Sequence, residues 1–107
     1  MIDWTRVRVL REEIGPDDFD EVIAMFMEEA DEVVDRISAG GGLSCDLHFL
    51  KGSALNIGFR ELAALCASTE VSLEQGTWDP ASPAQVAATY LKSRAAFVSG
   101  LAGVSTD

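Results

Sequence analysis

The chain has 107 residues, 48% hydrophobic and 24% charged, which is room for one globular domain with an ordinary core. Eighteen acidic residues against eight Lys and Arg give a formal net charge of -10, which disfavours binding to nucleic acid or to an anionic membrane surface. Two scattered cysteines and a single histidine argue against a disulfide scaffold and a zinc site.

The first predicted element is a short leading helix within residues 1–14. Its apolar side chains recur at helical spacing, and Gly15 breaks the pattern after Ile14. The apolar side consists of Trp4, Val7, Leu10 and Ile14.

The second predicted helix, residues 16–39, has the clearest amphipathic pattern in the chain. Pro16 presets a helical φ, and Asp17 and Asp18 suit the positive end of the helix dipole. The glycine run 40–42 predicts its end. Acidic residues fill the outer face, whereas the inner face is apolar: Phe19, Val22, Ile23, Phe26, Ala30, Val33, Val34 and Ile37.

Three further helices are predicted over residues 44–58, 60–75 and 83–101, with a frayed tail after them. No run alternates with a period of two and no hairpin turn occurs, so strands are not expected. The pattern predicts an all-α fold: one domain over residues 1–107, built as an antiparallel four-helix bundle with an additional short N-terminal helix.

The third helix carries the only histidine. On a helical wheel Leu47, Leu50 and Ala54 mark the core side, and His48 lies about 140° from that direction. Gly52, one turn further on, lies about 180° away, so the outer face has no side chain there. We expect Ser44 to cap this helix, which would place His48 near its positive end.

The presence of Gly52 in the middle of this helix needs an explanation, because glycine inside a helix costs about 1 kcal/mol of stability relative to alanine. On an outward face, the close approach of another surface is such a reason. Phe49 and Leu55 also lie off the core side. They could form a docking patch beside the histidine, or they could pack against the two neighbouring helices, and the sequence does not separate these interpretations.

An outward histidine with Lys51 three residues on allows few kinds of chemistry. Cys45 lies one turn before His48, but a Cys–His catalytic pair needs a third orienting group and a water-excluding cleft. Imidazole can itself attack a phosphoryl group and carry it. Lys51 would then neutralise the phosphoryl oxygens as a point charge.

Residues 48–58, HFLKGSALNIG, resemble the H-x-L-K-G-S-[SA]-x-x-x-G signature of histidine-containing phosphotransfer (HPt) domains, the relay modules of two-component phosphorelays. The resemblance implies that His48 is phosphorylated and that Lys51 steadies the phosphoryl group. It implies that Gly52 gives a partner room to approach, and that Ser53 and Gly58 shape the motif helix. We place the partner-docking surface on Cys45, Phe49, Gly52, Ser53, Leu55 and Asn56.

The resemblance implies response-regulator receiver domains as partners, and a hybrid sensor histidine kinase as a further one. No intrinsic cofactor is expected, and the receiver would bring Mg²⁺. No nucleotide-binding loop is present, so autonomous kinase activity is not expected. No apolar run has the length of a signal peptide or membrane span, so we expect a cytoplasmic protein. Four predicted helices already close one bundle within a single chain, so we expect a monomer. The alternative is a non-catalytic helical interaction module that docks a partner through the Phe49/Leu55 face.

Overall fold

Five helices make up the structure, a computed structural model that describes residues 2–40, 43–77, 79 and 81–105. Within these residues there is no strand, and one isolated bridge pairs Ile2 with Phe59. The all-α prediction is therefore confirmed. The helices are α1 (Trp4–Ile14), α2 (Pro16–Ser38), α3 (Leu43–Ile57), α4 (Arg60–Gln75) and α5 (Ser82–Ser105).

Six predicted helix boundaries differ from the structure. The end of α2 at Ser38, the end of α3 at Ile57 and the start of α5 at Ser82 each differ from the prediction by one residue. α1 begins at Trp4 and not at the first residue, because Asp3 Oδ1 accepts a hydrogen bond from the Arg6 amide at 3.2 Å and caps the helix. α3 begins at Leu43, so Ser44 lies inside its first turn and the prediction that it caps the helix is wrong. α5 continues to Ser105, four residues beyond the predicted end, since no proline interrupts this stretch.

The boundary between α1 and α2 follows the sequence signals. Gly15 has a φ of +96°, a region that favours glycine, and it separates the two helices. α2 then starts with Pro16 at its first position and Asp17 and Asp18 in its first turn. Gly41 and Gly42, which were predicted to end α2 together with Gly40, lie outside the described residues.

The four longer helices close a ring in which α2 packs against α3, α3 against α4, α4 against α5, and α5 against α2. Aromatic side chains fill one part of its core, where Phe59 meets Phe26 and Phe97 edge to face, with both pairs of ring centroids 5.3 Å apart. Trp4 stacks on Phe97 at 5.8 Å and brings α1 onto the bundle. No helix among the described residues is both long and apolar enough to span a bilayer.

The start of α1 is fastened to the turn between α3 and α4. The Asp3 amide donates to the Gly58 carbonyl at 2.7 Å, and Arg6 Nε donates to the Asn56 carbonyl at 2.9 Å. Gly58 has a φ of +91°, and a Cβ there would lie 2.8 Å from the Asp3 carbonyl oxygen. The glycine that closes the motif is therefore required by the contact with the chain before α1.

We expect Gly58→Ala to lower the free energy of unfolding by about 3 kcal/mol, from backbone strain together with the clash against Asp3. Gly40→Ala is the matched control, because Gly40 has a similar φ of +86° and nothing lies within 4 Å of its Cβ position. That variant carries the strain alone and should lose about 1 kcal/mol. Urea unfolding followed by circular dichroism measures both, and equal losses would contradict the role assigned to the Asp3 contact.

Candidate functional site

The outer side of α3 carries an exposed strip formed by Cys45, His48, Gly52 and Asn56. Leu47, Leu50 and Ala54, on the opposite side, are fully buried in the core. The imidazole of His48 is 75% exposed. Nothing lies within 4 Å of the position that a Gly52 Cβ would occupy, so the bare helix backbone one turn from the histidine is open to an approaching surface.

Glu70 of α4 joins the histidine and the lysine into one cluster. Lys51 Nζ lies 3.1 Å from Glu70 Oε1, and His48 Nδ1 lies 3.8 Å from Glu70 Oε2. The second distance is too long for a hydrogen bond and is an electrostatic contact. We call these three residues the His48–Lys51–Glu70 cluster.

The carboxylate of this cluster is largely withdrawn from solvent, with the Glu70 side chain 20% exposed. Its buried Oε1 atom has no well-aligned hydrogen bond within the described part of the chain, and the ammonium of Lys51 is its compensating charge. Withdrawing a carboxylate from water costs free energy, and the ion pair with Lys51 offsets part of that cost. Sequence reasoning missed Glu70, although it lies one turn beyond Cys66 beside the α3-facing side of α4.

The start of α3 is held by an ion pair that sequence reasoning also missed. Arg36 Nε donates to Asp46 Oδ2 and Arg36 Nη2 donates to Asp46 Oδ1, each at 3.2 Å. Asp46 is buried, and its hydrogen bond and charge raise the pKa of Arg36. The pair ties the last turn of α2 to the first turn of α3, two residues before His48, and so fixes the histidine in the bundle.

His48 lies in the second turn of α3, because the helix begins at Leu43. We expected His48 near the positive end of the helix because we expected Ser44 to be the cap. With the helix starting earlier, His48 lies further from that end. The dipole effect falls off within the first turn, so Lys51 is the nearer source of positive charge for an anion bound at His48.

The predicted docking residues lie on two flanks of the exposed strip. Phe49, half-buried Ser53 and Asn56 line the flank toward α2, where Phe49 is 43% exposed and Met25 of α2 is 59% exposed. Leu55 is 60% exposed and follows Lys51 by one turn on the flank toward α4. Their exposure favours a docking patch over packing against the neighbouring helices, the two interpretations that the sequence left open.

The two cysteines differ in environment, and this predicts different reactivity. Cys45 is exposed on the strip beside His48, whereas Cys66 is buried. Burial, together with the Glu70 charge, raises the pKa of the Cys66 thiol to about 12 and keeps it protonated at neutral pH. We expect a maleimide to label one thiol in the native chain and two in denaturant, with Cys45→Ser removing the native label. Labelling of two thiols under native conditions would contradict the packing around Cys66.

No group of three or more metal-binding side chains comes together among the residues that the structure describes. The His48–Lys51–Glu70 cluster itself offers an accessible imidazole, an ammonium and a carboxylate. Of the two imidazole nitrogens, Nδ1 faces Glu70 and Nε2 lies on the side away from it.

In a comparison with protein families, the family model described as Hpt domain fits residues 21–97. This segment holds most of α2, all of α3 and α4, and the part of α5 up to Phe97, and it includes the whole His48–Lys51–Glu70 cluster. No curated protein and no solved structure matches the chain.

Proposed function

The chain belongs to the Hpt domain family, which acts in histidine phosphotransfer within phosphorelays, and on that premise we propose that His48 is the residue that carries the phosphoryl group. His48 is the only histidine in the chain. The observation that carries the proposal is its 75% exposed imidazole beside the open backbone at Gly52. A phosphorylated partner can reach such a group without any rearrangement of the bundle.

In the proposed step, His48 accepts the phosphoryl group from the aspartate of a receiver domain. The lone pair of Nε2 forms the N–P bond while the P–O bond to the aspartate breaks, and the bonding electrons leave with the carboxylate. The ring keeps its Nδ1 proton and becomes positively charged. Glu70, which faces Nδ1 at 3.8 Å, stabilises that charge and favours the tautomer with a free lone pair on Nε2. The reverse sequence passes the group to a second receiver.

In this scheme Lys51 interacts with two negatively charged groups, the Glu70 carboxylate and the phosphoryl group. Its ammonium lies 3.1 Å from Glu70 in the resting protein, and it has rotatable donors that can also turn to the phosphoryl oxygens. Glu70 therefore holds the lysine next to His48, while the partner supplies the larger share of the charge needed to transfer a phosphoryl group. We propose that this share is a Mg²⁺ ion bound in the receiver, and that a kinase able to phosphorylate His48 brings its own nucleotide.

Docking completes the proposed function. The surface of Cys45, Phe49, Gly52, Ser53, Leu55 and Asn56 surrounds His48, with Gly52 open and two large apolar side chains exposed. These features support a partner that covers the strip and excludes water from the phosphoryl group during transfer.

Transfer from purified receiver domains tests the proposal. Each member of a receiver panel is loaded with radioactive phosphoryl group and mixed with the chain, and we expect at least one to move the label to it. The label should be stable in alkali and labile in acid, as a phosphoramidate is. Acid-stable label would place the phosphoryl group on a hydroxyl, and failure of every receiver would count against the relay.

The exposure of Phe49 and Leu55 also favours a second candidate, a non-catalytic module that docks a partner through this face. The two candidates differ in what His48 contributes. In the second, a partner binds His48→Gln as well as it binds the wild type, and no receiver ever transfers label. Binding measured by calorimetry beside the transfer assay separates them.

A further inference from the structure

The outer face of α5 is apolar over most of its length. Leu91 is 60% exposed and Val98 is 57% exposed, and both point away from the buried side of the helix. Exposed alanines at positions 84, 88 and 95 continue the same face. We call this surface the α5 stripe, and it consists of Ala84, Ala88, Leu91, Ala95 and Val98.

The α5 stripe has the spacing by which two helices pair. Its members follow one another at intervals of four, three, four and three residues, which is the pattern of the a and d positions of a coiled coil. Exposed apolar side chains scattered singly need no partner, but this spacing places them on one line along the helix. The alanines let a second helix approach closely, and the larger side chains fill the space beside them. The stripe therefore has the form of one half of a helix pair.

The charge of α5 differs from that of the rest of the chain, whose formal net charge is -10. Of the five helices that the structure describes, α5 alone has a sequence without Asp or Glu. Its two cations lie one on each side of the stripe. Arg94, on the side toward α2, lies 3.7 Å from Asp31 Oδ1, whereas Lys92, on the side toward α4, forms no ion pair with any described residue. Two copies can therefore meet at α5 without bringing acidic residues together.

An exposed acid lies on the other side of the stripe from Lys92. Asp35 of α2 borders a cavity of about 460 Å³ between α2 and α5, together with Leu91, and it too has no ion pair within the described part of the chain. Lys92 directly follows Leu91, so the cation and the acid lie at the same height of the bundle. A twofold axis parallel to α5 preserves height and exchanges the two sides of the stripe. It would bring Lys92 of each copy toward Asp35 of the other.

We propose that the chain forms a twofold-symmetric dimer in which the α5 stripes of two copies pack in parallel, with Lys92 of each copy facing Asp35 of the other. Antiparallel packing would place the acidic α2 of one copy beside that of the other, which like charges disfavour. Closure of the four-helix bundle, the reason for expecting a monomer, fills only the interior and leaves the stripe uncovered. α3 lies across the bundle from α5, so both His48 side chains stay accessible in the dimer.

The size of the α5 stripe predicts a weak dimer. From Ala84 to Val98 it is about 21 Å long and one helix wide. This is less than the roughly 800 Å² that each partner buries in a standard interface. We expect a Kd on the order of 50 µM, so the dilute chain in transfer and unfolding assays is monomeric.

Sedimentation velocity of the chain alone tests the dimer, over concentrations from about one tenth to about ten times the expected Kd. The wild type should change from monomer to dimer across this range. Leu91→Glu should raise the Kd at least about tenfold, because it places a carboxylate in the centre of both stripes. Leu55→Glu is the matched control, since it makes the same change at a side chain of the same 60% exposure on α3. It should change the Kd less than about twofold.

Exchange of the two charges tests the parallel arrangement. Lys92→Glu and Asp35→Lys should each raise the Kd about fivefold at low salt, and the double variant should return it close to the wild-type value. Net charge alone predicts a different result. Lys92→Glu makes the chain more negative and would weaken association, whereas Asp35→Lys makes it less negative and would strengthen association.

A wild-type chain that stays monomeric over the whole range would overturn the inference, and so would equal effects of Leu91→Glu and Leu55→Glu. Tighter association of Lys92→Glu would mean antiparallel packing and contradict the proposed arrangement. Circular dichroism checks that each variant folds, and Ala95→Glu tests the same stripe if Leu91→Glu does not. The readout involves no phosphoryl transfer, so its result is independent of the proposed function.

Discussion

Replacing His48 with glutamine is expected to abolish phosphoryl transfer from a receiver domain to this chain. Glutamine occupies similar space but its amide nitrogen has no lone pair available for attack, and the sequence holds no second histidine. Label on the variant should be below one per cent of the wild type, because nothing replaces the nucleophile. Filter-binding or gel assays with the same phosphorylated receiver measure it.

The fold of this variant should be unchanged, since His48 is 75% exposed and does not contribute to the core. Its free energy of unfolding should lie within about 0.5 kcal/mol of the wild type, as is usual for surface substitutions. Cys45→Ser, an exposed change one turn away on the same strip, is the control and should still be labelled. Label that persists on His48→Gln would move the acceptor to another residue and end the present assignment.

Replacing Lys51 with alanine should slow transfer from the same receiver about 100-fold, the cost typical of removing one preorganised charge contact from a transition state. It should also lower the free energy of unfolding by about 2 kcal/mol, because the buried oxygen of Glu70 then loses its compensating charge. Stopped-flow transfer and urea unfolding measure the two effects separately. Lys92→Ala, an exposed change on α5, should alter neither.

A second substitution separates the two duties of Lys51. In Lys51→Ala/Glu70→Gln the buried charge is gone, so stability should return toward the wild type while transfer stays slow. Recovery of the transfer rate in this double variant would show that Lys51 acts only by neutralising Glu70. Lys51→Arg keeps the charge and should restore most of the stability, with partial recovery of the rate because its planar group points its donors differently.

Local patterns were enough to predict the helices and the outward direction of the motif. The wheel of α3 relied on Leu47, Leu50 and Ala54, and all three are fully buried. Gly15 and Pro16 predicted the break before α2 because their backbone preferences are local. The predicted end of α5 was wrong. Residues 102–105 carry no strong stop signal, so the surrounding structure decides how far the helix continues.

Pairings between distant residues could not be predicted in this way. Lys51 and Glu70 are 19 positions apart, and their contact depends on how α4 is rotated against α3. Arg36 and Asp46 lie on either side of a turn that no periodicity describes. The wheel placed Lys51 beside His48 correctly, but it presented the lysine as a free cation, whereas the structure gives it a carboxylate partner that alters what it can do for a phosphoryl group.

If a partner approaches over Gly52 as proposed, the bare backbone there trades stability of the fold against phosphoryl transfer. An alanine there would meet no neighbour, and it would recover about 1 kcal/mol of helix propensity. A laboratory selection for thermal stability is therefore expected to favour alanine at this position. On the proposed mechanism, the selected variants would be more stable but would transfer the phosphoryl group more slowly. Attempts to stabilise this domain should therefore keep glycine at position 52 and place the stabilising substitutions elsewhere.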